Sequence, residues 1–327
     1  MSIIVEEDQP PVASRARSVL RRLRHDRLAM FGAIVIVALF VLAFAFPWYW
    51  PWGYQQADPN AFLSAPSGAH LFGTDPDGFD MYARVMRGLQ KSLVIGLLVA
   101  VSSTTTAAVV GSVAGYFRSA LDRTLMWLVD LLLILPNFLI LSVLSPAFRG
   151  RSWLFFVVLL AAFMWMITAR VVRGMTLTIS EREFVRAAKL MGVPAWRVIV
   201  RHILPQMSSL LIADATINVG VAILTETSLS YFGFGVQPPD VSLGTLIADS
   251  TDSVLSFPWL FFEPAGFLVL TVLAVNLVGD GVRDALDPGS RRRFRGRSGR
   301  TRRLHRSGGR GARSHDVHDR HHGPTHG

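Results

Sequence analysis

No cysteine occurs in the 327 residues, which excludes disulfides, thiolate metal sites and cysteine nucleophiles. Charge is scarce as well. Only 17% of residues are charged against 51% hydrophobic, and the mean hydropathy is +0.39. That balance is wrong for a soluble domain of this length and points to a polytopic membrane protein. Lysine is nearly missing: of 33 Lys and Arg, only Lys91 and Lys189 are lysines, a bias of the kind a GC-rich genome imposes. A phosphate-binding Gly-Lys-Ser/Thr turn is thereby excluded, because Lys91 follows Gln90 and Lys189 follows Ala188. There is no HExxH pattern, nucleophile elbow or pair of spaced carboxylates. His25, His70 and His202 are scattered, and the other histidines lie in the C-terminal tail. The chain is not an enzyme by itself, and no metal or cofactor site is expected in it. A formal charge of +10 would suggest nucleic acid in a soluble protein. Here it collects at the two ends and in alternate loops, which reads as membrane topology and not as a nucleic-acid surface.

What the chain does have is apolar runs. Six can each supply the roughly 20 residues that cross a ~30 Å hydrocarbon layer: 28–46, 92–116, 125–144, 153–169, 208–230 and 264–282. The first ends in Pro47-Trp-Tyr-Trp-Pro51, a cluster suited to the membrane interface. It is too long for a signal peptide and no small-residue cleavage site follows, so it is expected to stay as an anchor. Arg15, Arg17, Arg21, Arg22, Arg24 and Arg27 precede it, whereas the loop 231–263 holds no Lys or Arg. The positive-inside rule then places both termini and the loop 170–207 in the cytoplasm. The expected organisation is a cytoplasmic arm (1–27), an anchor helix (28–46), an extracytoplasmic loop (47–91), a core of five transmembrane helices (92–284) and a basic, His-rich disordered tail (285–327). An all-α fold with six membrane helices follows. Lipid is one expected partner, through the loop arginines and the basic tail.

Gly96, Ser102, Ser103, Gly111 and Gly115 sit in the second run; small residues there let helix backbones approach closely. Pro136 is expected to kink the third. Asp130, Asp214, Glu226, Asn276 and Asp280 are polar groups within or near the membrane. Such groups line an aqueous path or cross-link helices, and both readings stand here. Glu226, Asn276 and Asp280 are the candidates for path or gate.

Between the fourth and fifth runs lies Glu183-Phe-Val-Arg-Ala-Ala-Lys-Leu-Met-Gly192, followed by His202-Ile-Leu-Pro205. A short helix fits, with Gly192 supplying a positive-φ stop and Pro194 opening a second helix. Ala187 and Ala188 give it a shallow surface, and Glu183 stands four residues before Ala187 on one face. This block resembles the cytoplasmic Glu-Ala-Ala loop of ABC importer permeases, which docks on a separate ATPase. Further blocks agree in order. His70-Leu-Phe-Gly-Thr-Asp-Pro-Asp-Gly78 with Asp80 and Arg84, then Ala114-Gly-Tyr116 with Asp122, resemble segments flanking the second span of dipeptide/oligopeptide permeases. Leu229-Ser-Tyr-Phe-Gly-Phe-Gly-Val-Gln-Pro-Pro239 is similar to their outward segment after the fifth span. Asn276-Leu-Val-Gly-Asp-Gly-Val-Arg-Asp-Ala-Leu-Asp-Pro288 resembles their C-terminal signature.

The resemblance, to the C-type permease subunit of a dipeptide/oligopeptide ABC importer, covers about residues 15–290. It implies a type I importer permease fold in a bacterial plasma membrane. It also implies a second (B-type) permease subunit, two ATPase subunits that bind ATP and Mg, and an extracytoplasmic substrate-binding protein. The loop 181–205 is then the coupling element: Glu183 meets the ATPase, Ala187 and Ala188 seat in its groove, and Gly192 allows the exit. Gly233, Gly235, Pro238 and Pro239 make an irregular outward segment, facing the binding protein or bending back structurally. The chain departs from the family pattern at Gly78-Phe79-Asp80, where Gly-Arg-Asp is usual. It departs again at Gln90-Lys91-Ser92-Leu93, where a basic residue and Ile/Thr precede Ser-Leu, and at Asp214, where a neutral residue is expected. The same family includes nickel and glutathione permeases, which stay open as substrates. Two rival readings are a proton-coupled secondary transporter using Asp214, Glu226 or Asp280, and a membrane scaffold without flux.

Overall fold

A computed structural model describes residues 26–148 and 152–286. The N-terminal arm before residue 26 and the tail beyond Leu286 lie outside the described residues. The regular structure of the described residues is helical, with no strand among them beyond the isolated bridges Ala57–Phe79 and Thr74–Asp80. In chain order the helices are α1 (Arg27–Tyr49), α2 (Met81–Phe117), α3 (Ala120–Ile134), α4 (Asn137–Leu144), α5 (Trp153–Met164) and α6 (Met166–Ser180). Then come α7 (Glu183–Leu190), α8 (Ala195–Val198), α9 (Ser208–Tyr231), α10 (Leu243–Ser250) and α11 (Pro258–Leu286).

By length and composition α1, α2, α9 and α11 can each cross a bilayer. The pairs α3/α4 and α5/α6 are bent by 82° and 47°, and counting each as one span gives six. Pro136 does more than kink the third run: Leu135 and Pro136 are both extended, because a residue before proline is pushed out of the helical region. The fourth run does not stop near residue 169 but continues, after the bend, to Ser180.

The largest departure is in α2, which begins at Met81 and not near Ser92. Asp80 caps it, its carboxylate accepting the Ala83 N–H at 2.7 Å. The polar residues 84–91 stay helical because each long side chain has a partner. Gln90 donates to the Ala43 carbonyl of α1 at 2.6 Å, and Lys91 pairs with Asp240 at 2.9 Å. At 37 residues, α2 is about 55 Å long, well beyond the hydrocarbon thickness.

This rod is the axis of the packing. A Cβ added at Gly111 would stand 2.5 Å from the Ala169 carbonyl, and one at Gly115 2.8 Å from that of Arg173, both on α6. Four residues apart, the two glycines let the α2 and α6 backbones touch, as small-residue pairs do in membranes. Nearer its other end, Gly96 lies against Ile223 and the Val219 carbonyl of α9.

Candidate functional site

Two regions carry the residues singled out from the sequence, one at each end of α2. At the C-terminal end is α7. Its hydrogen bonds close a complete Schellman stop: Val193 N–H to the Ala188 carbonyl at 3.1 Å and Gly192 N–H to that of Lys189 at 3.0 Å. Gly192 sits at φ +73° with open space around it, so backbone conformation alone selects glycine there. Val185 and Ala188 are buried with Val172, Val198, Ile203 and Met207 in a local core. Glu183, Phe184 and Ala187 are exposed, and so are Leu190, Met191 and Trp196.

Ala187 and Ala188 are therefore not a matched pair. Consecutive helical residues point about 100° apart, and Ala188, 3% exposed, belongs to this chain's own core. The shallow surface offered outward is that of Ala187, on the same side as Glu183. His202, on the irregular helical turn Ile199–Ile203, places its ring 6.4 Å from that of Phe184.

Two contacts tie this segment to the end of α2. Lys189 Nζ lies 4.2 Å from the centre of the Tyr116 ring. Burial pushes the Lys189 ammonium below its usual range, and nearby Arg118 and Arg186 add to the shift. Arg118 itself pairs with Glu181 at 3.1 Å and donates to the Leu177 carbonyl at 2.6 Å. Alongside, Asp122 holds Arg173 through two bonds of 2.5 and 2.7 Å, and Asp130 pairs with Arg170. Asp130 thus cross-links α3 to α6. Arg118, Arg170 and Arg173 form specific ion pairs in addition to the general positive charge read from the sequence.

At the N-terminal end of α2, the block His70–Gly78 folds into a cap. His70 is buried and bonds through Nδ1 to Asp80 at 2.8 Å, while Trp50 Nε1 donates to the other Asp80 oxygen at 3.0 Å. Asp75 accepts the Asp77 and Phe79 N–H groups and pairs with Arg84. The polar residues of the block are consumed by each other, which is a structural role. Phe79 lines a cavity of about 370 Å³ with Tyr54, Arg84, Asp249 and the turn that includes Gly233, Pro238 and Pro239.

That turn follows α9. Gly233 takes φ +78°, and the Pro238–Pro239 bond is cis. Gly235 packs against Ser230, where any Cβ would collide with the side chain. Asp240 is held by Lys91, whose Nζ also lies 4.3 Å from the Trp153 ring. Ser145 Oγ donates to the Phe234 carbonyl at 2.5 Å. This turn is thus pinned to α2 and to the end of the α3/α4 pair.

Inside the bundle the polar residues separate. Glu226 is fully buried, and its Oε1 accepts from Ser230 and Ser242 hydroxyls, each at 2.6 Å. Asp214 accepts from Thr168 at 2.8 Å, Asn218 at 2.9 Å and Thr104 at 3.0 Å. It ties α9 to α6 and α2. Asn276 and Asp280 are exposed on α11, with the Asn276 Oδ1 beside Gly220 of α9. No hydrogen bond joins either to Glu226 among the described residues, so the three path candidates do not form one cluster. The contacts that sequence reasoning missed are Lys91 with Asp240 and Lys189 with Tyr116. Their one signal was the survival of two lysines in a chain that otherwise uses arginine.

Comparison with known proteins shows the family of the chain. Residues 107–292 match the family model described as binding-protein-dependent transport system inner membrane component. Residues 14–66 match the N-terminal TM domain of oligopeptide transport permease C. The oligopeptide transport system permease proteins OppC of Mycobacterium bovis and Mycobacterium tuberculosis are each 51% identical over 285 residues, 87% of this chain and 98% of theirs. That of Haemophilus influenzae is 35% identical over 88% of this chain and 93% of its own. With the helical bundle, these matches make the chain a membrane permease subunit and no enzyme, a member of the oligopeptide branch of the binding-protein-dependent transport inner membrane components.

Proposed function

We propose that this chain is the C-type permease subunit of an ATP-driven importer of dipeptides and oligopeptides, forming half of the transmembrane path. A second permease subunit supplies the other half, two ATPase subunits carry ATP and Mg, and an extracytoplasmic binding protein delivers the cargo. Six spans with both termini cytoplasmic go with this reading, each bent helix pair counting as one. The observation that carries it is the two-sided character of α7. Its inner face is anchored by Val185 and Ala188, while Glu183, Phe184 and Ala187 are presented outward. A helix fixed on one side and open on the other is suited to receive an ATPase groove and to move as a rigid body with it. The ATPase-facing residues are then Glu183 and Ala187, with Gly192 closing the helix.

The test is uptake of labelled di- and oligopeptides into proteoliposomes by the co-purified complex, with a Glu183→Ala control. Uptake that needs ATP and collapses in the variant while the complex still assembles supports the reading. Uptake driven by a proton gradient without ATP sinks it. Binding-protein-stimulated ATP turnover without peptide uptake keeps the importer and moves the cargo to nickel, glutathione or another small solute.

A further inference from the structure

We infer that the Lys189 ammonium on the Tyr116 ring is the joint through which α7 moves α2, and through α2 the outward turn; this rests on the ATPase-coupling reading above. Each lysine of the chain stands over an aromatic ring, and each contact involves α2. Lys189 meets Tyr116 near the C-terminus of α2 at 4.2 Å, and Lys91 reaches from its N-terminal third to Trp153 at 4.3 Å. Lysine puts a compact charge on the ring face where arginine would lay a broad planar group.

The remaining α7 contacts transmit direction poorly. Val185 and Ala188 sit in an apolar cluster with Val113 and Tyr116 packed against it. Apolar attraction is non-directional, so such faces can slide. The Arg118–Glu181 pair precedes α7, and its side chains are 41% and 60% exposed, where an ion pair holds little. The Lys189–Tyr116 contact is different because a cation over a ring face has a required position. Lys189 is itself exposed, so it is the required position over the ring, and not burial, that sets this contact apart.

Beyond the joint, α2 is suited to carry the displacement. It runs 37 residues without a proline. At its far end Lys91 grips Asp240 at 2.9 Å, and Ser92 Oγ accepts the Leu243 N–H at 3.3 Å. The turn 232–240 and the start of α10 must therefore follow α2.

The experiment measures ATP hydrolysis and peptide uptake side by side for the whole complex in proteoliposomes, carrying Lys189→Met, Tyr116→Leu or Tyr116→Phe. Lys189→Met and Tyr116→Leu should keep ATP turnover while uptake per ATP falls by up to about five-fold, the size an exposed cation–π contact carries. Tyr116→Phe keeps the ring and should stay within about two-fold. A purely structural defect would lower both activities in parallel and leave their ratio unchanged. Wild-type uptake per ATP in Lys189→Met overturns the joint, and so does a loss in Tyr116→Phe as deep as in Tyr116→Leu. If Tyr116→Leu fails to assemble, Lys189→Met and Tyr116→Phe decide. A wild-type complex without ATP-driven uptake overturns the coupling reading and the joint with it. Normal wild-type uptake beside an unaffected Lys189→Met sinks the joint alone.

Discussion

Ser242 donates its hydroxyl to Glu226 at 2.6 Å, joining the last turns of α9 to the first turn of α10. The same Ser242 oxygen accepts the Thr245 N–H, and Thr245 Oγ1 accepts the Ser242 N–H, a reciprocal cap. Ser230 adds a second bond to the same carboxylate oxygen. One acceptor thus organises the chain reversal that sets down the turn 232–240. Glutamine keeps an acceptor oxygen there, so Glu226→Gln should retain uptake and thermal stability. Glu226→Ala loses both bonds and opens a cavity, which should cost about 2–4 kcal/mol. Thermal unfolding of the purified complex beside uptake checks this. A Glu226→Gln variant that is stable but transports nothing would make the carboxylate a working part of the path.

Asp214 is the parallel case nearer the start of α9, where it is half-buried. Its three neutral donors come from three helices, and removing the acceptor strands all of them. Asp214→Ala should therefore destabilise the complex by about 2–4 kcal/mol. Asp214→Asn should cost about 1 kcal/mol or less, because an amide can reorganise with hydroxyl partners that both donate and accept. ATP-driven uptake in Asp214→Asn should persist. Its abolition in a stable complex would revive a proton-carrying role.

Much of this was legible in the sequence, and the limits were physical. Helices α1, α9 and α11 follow from apolar runs long enough to cross a bilayer. The stop at Gly192 follows from its spacing. The start of α2 was not visible, because polar residues 84–91 read as loop until their partners on α1 and beside Asp240 are known. The separation of Ala187 from Ala188 needed a reference face, which Val185 and the α8 region supply. Glu226, Asn276 and Asp280 looked alike as membrane polar groups. Only tertiary placement distinguishes a buried acceptor from two exposed side chains. Pro136 pointed to a break, but its 82° angle depends on how α4 packs afterwards.

Two glycines separate backbone need from close packing. At Gly192 an added methyl meets open space and the only obstacle is φ +73°. Gly192→Ala should cost about 1–2 kcal/mol, with Gly192→Asn milder because asparagine tolerates that region. At Gly111 the added carbon runs into the Ala169 carbonyl and the Val172 side chain, so α2 and α6 must part. Gly111→Val should abolish assembly, read as loss of the complex on size exclusion, whereas both Gly192 variants assemble. Equal yields for Gly111→Val and wild type would mean that α2 and α6 are not held this closely.

Asp249, on α10 at the wall of the cavity that Phe79 lines, provides a pH test outside the candidate membrane spans. Burial pushes its carboxyl above the ordinary value of 3.8, Arg84 opposes the shift and Asp75 adds to it. A carboxyl raised in the folded state binds its proton more readily there than in the unfolded chain. Stability therefore falls as pH rises from the ordinary value through the raised one, and the penalty is then constant to neutral pH. Asp249→Asn removes the charge and with it that penalty. The variant should unfold at a higher temperature than wild type at pH 7, and the gap should close as the pH is lowered toward 3.8. Asp249 also meets water, so screening keeps the gap small. Thermal unfolding across this pH range decides. A variant less stable than wild type at pH 7 would show that attraction to Arg84 outweighs burial, and that the Asp249 charge helps hold the cavity wall in place.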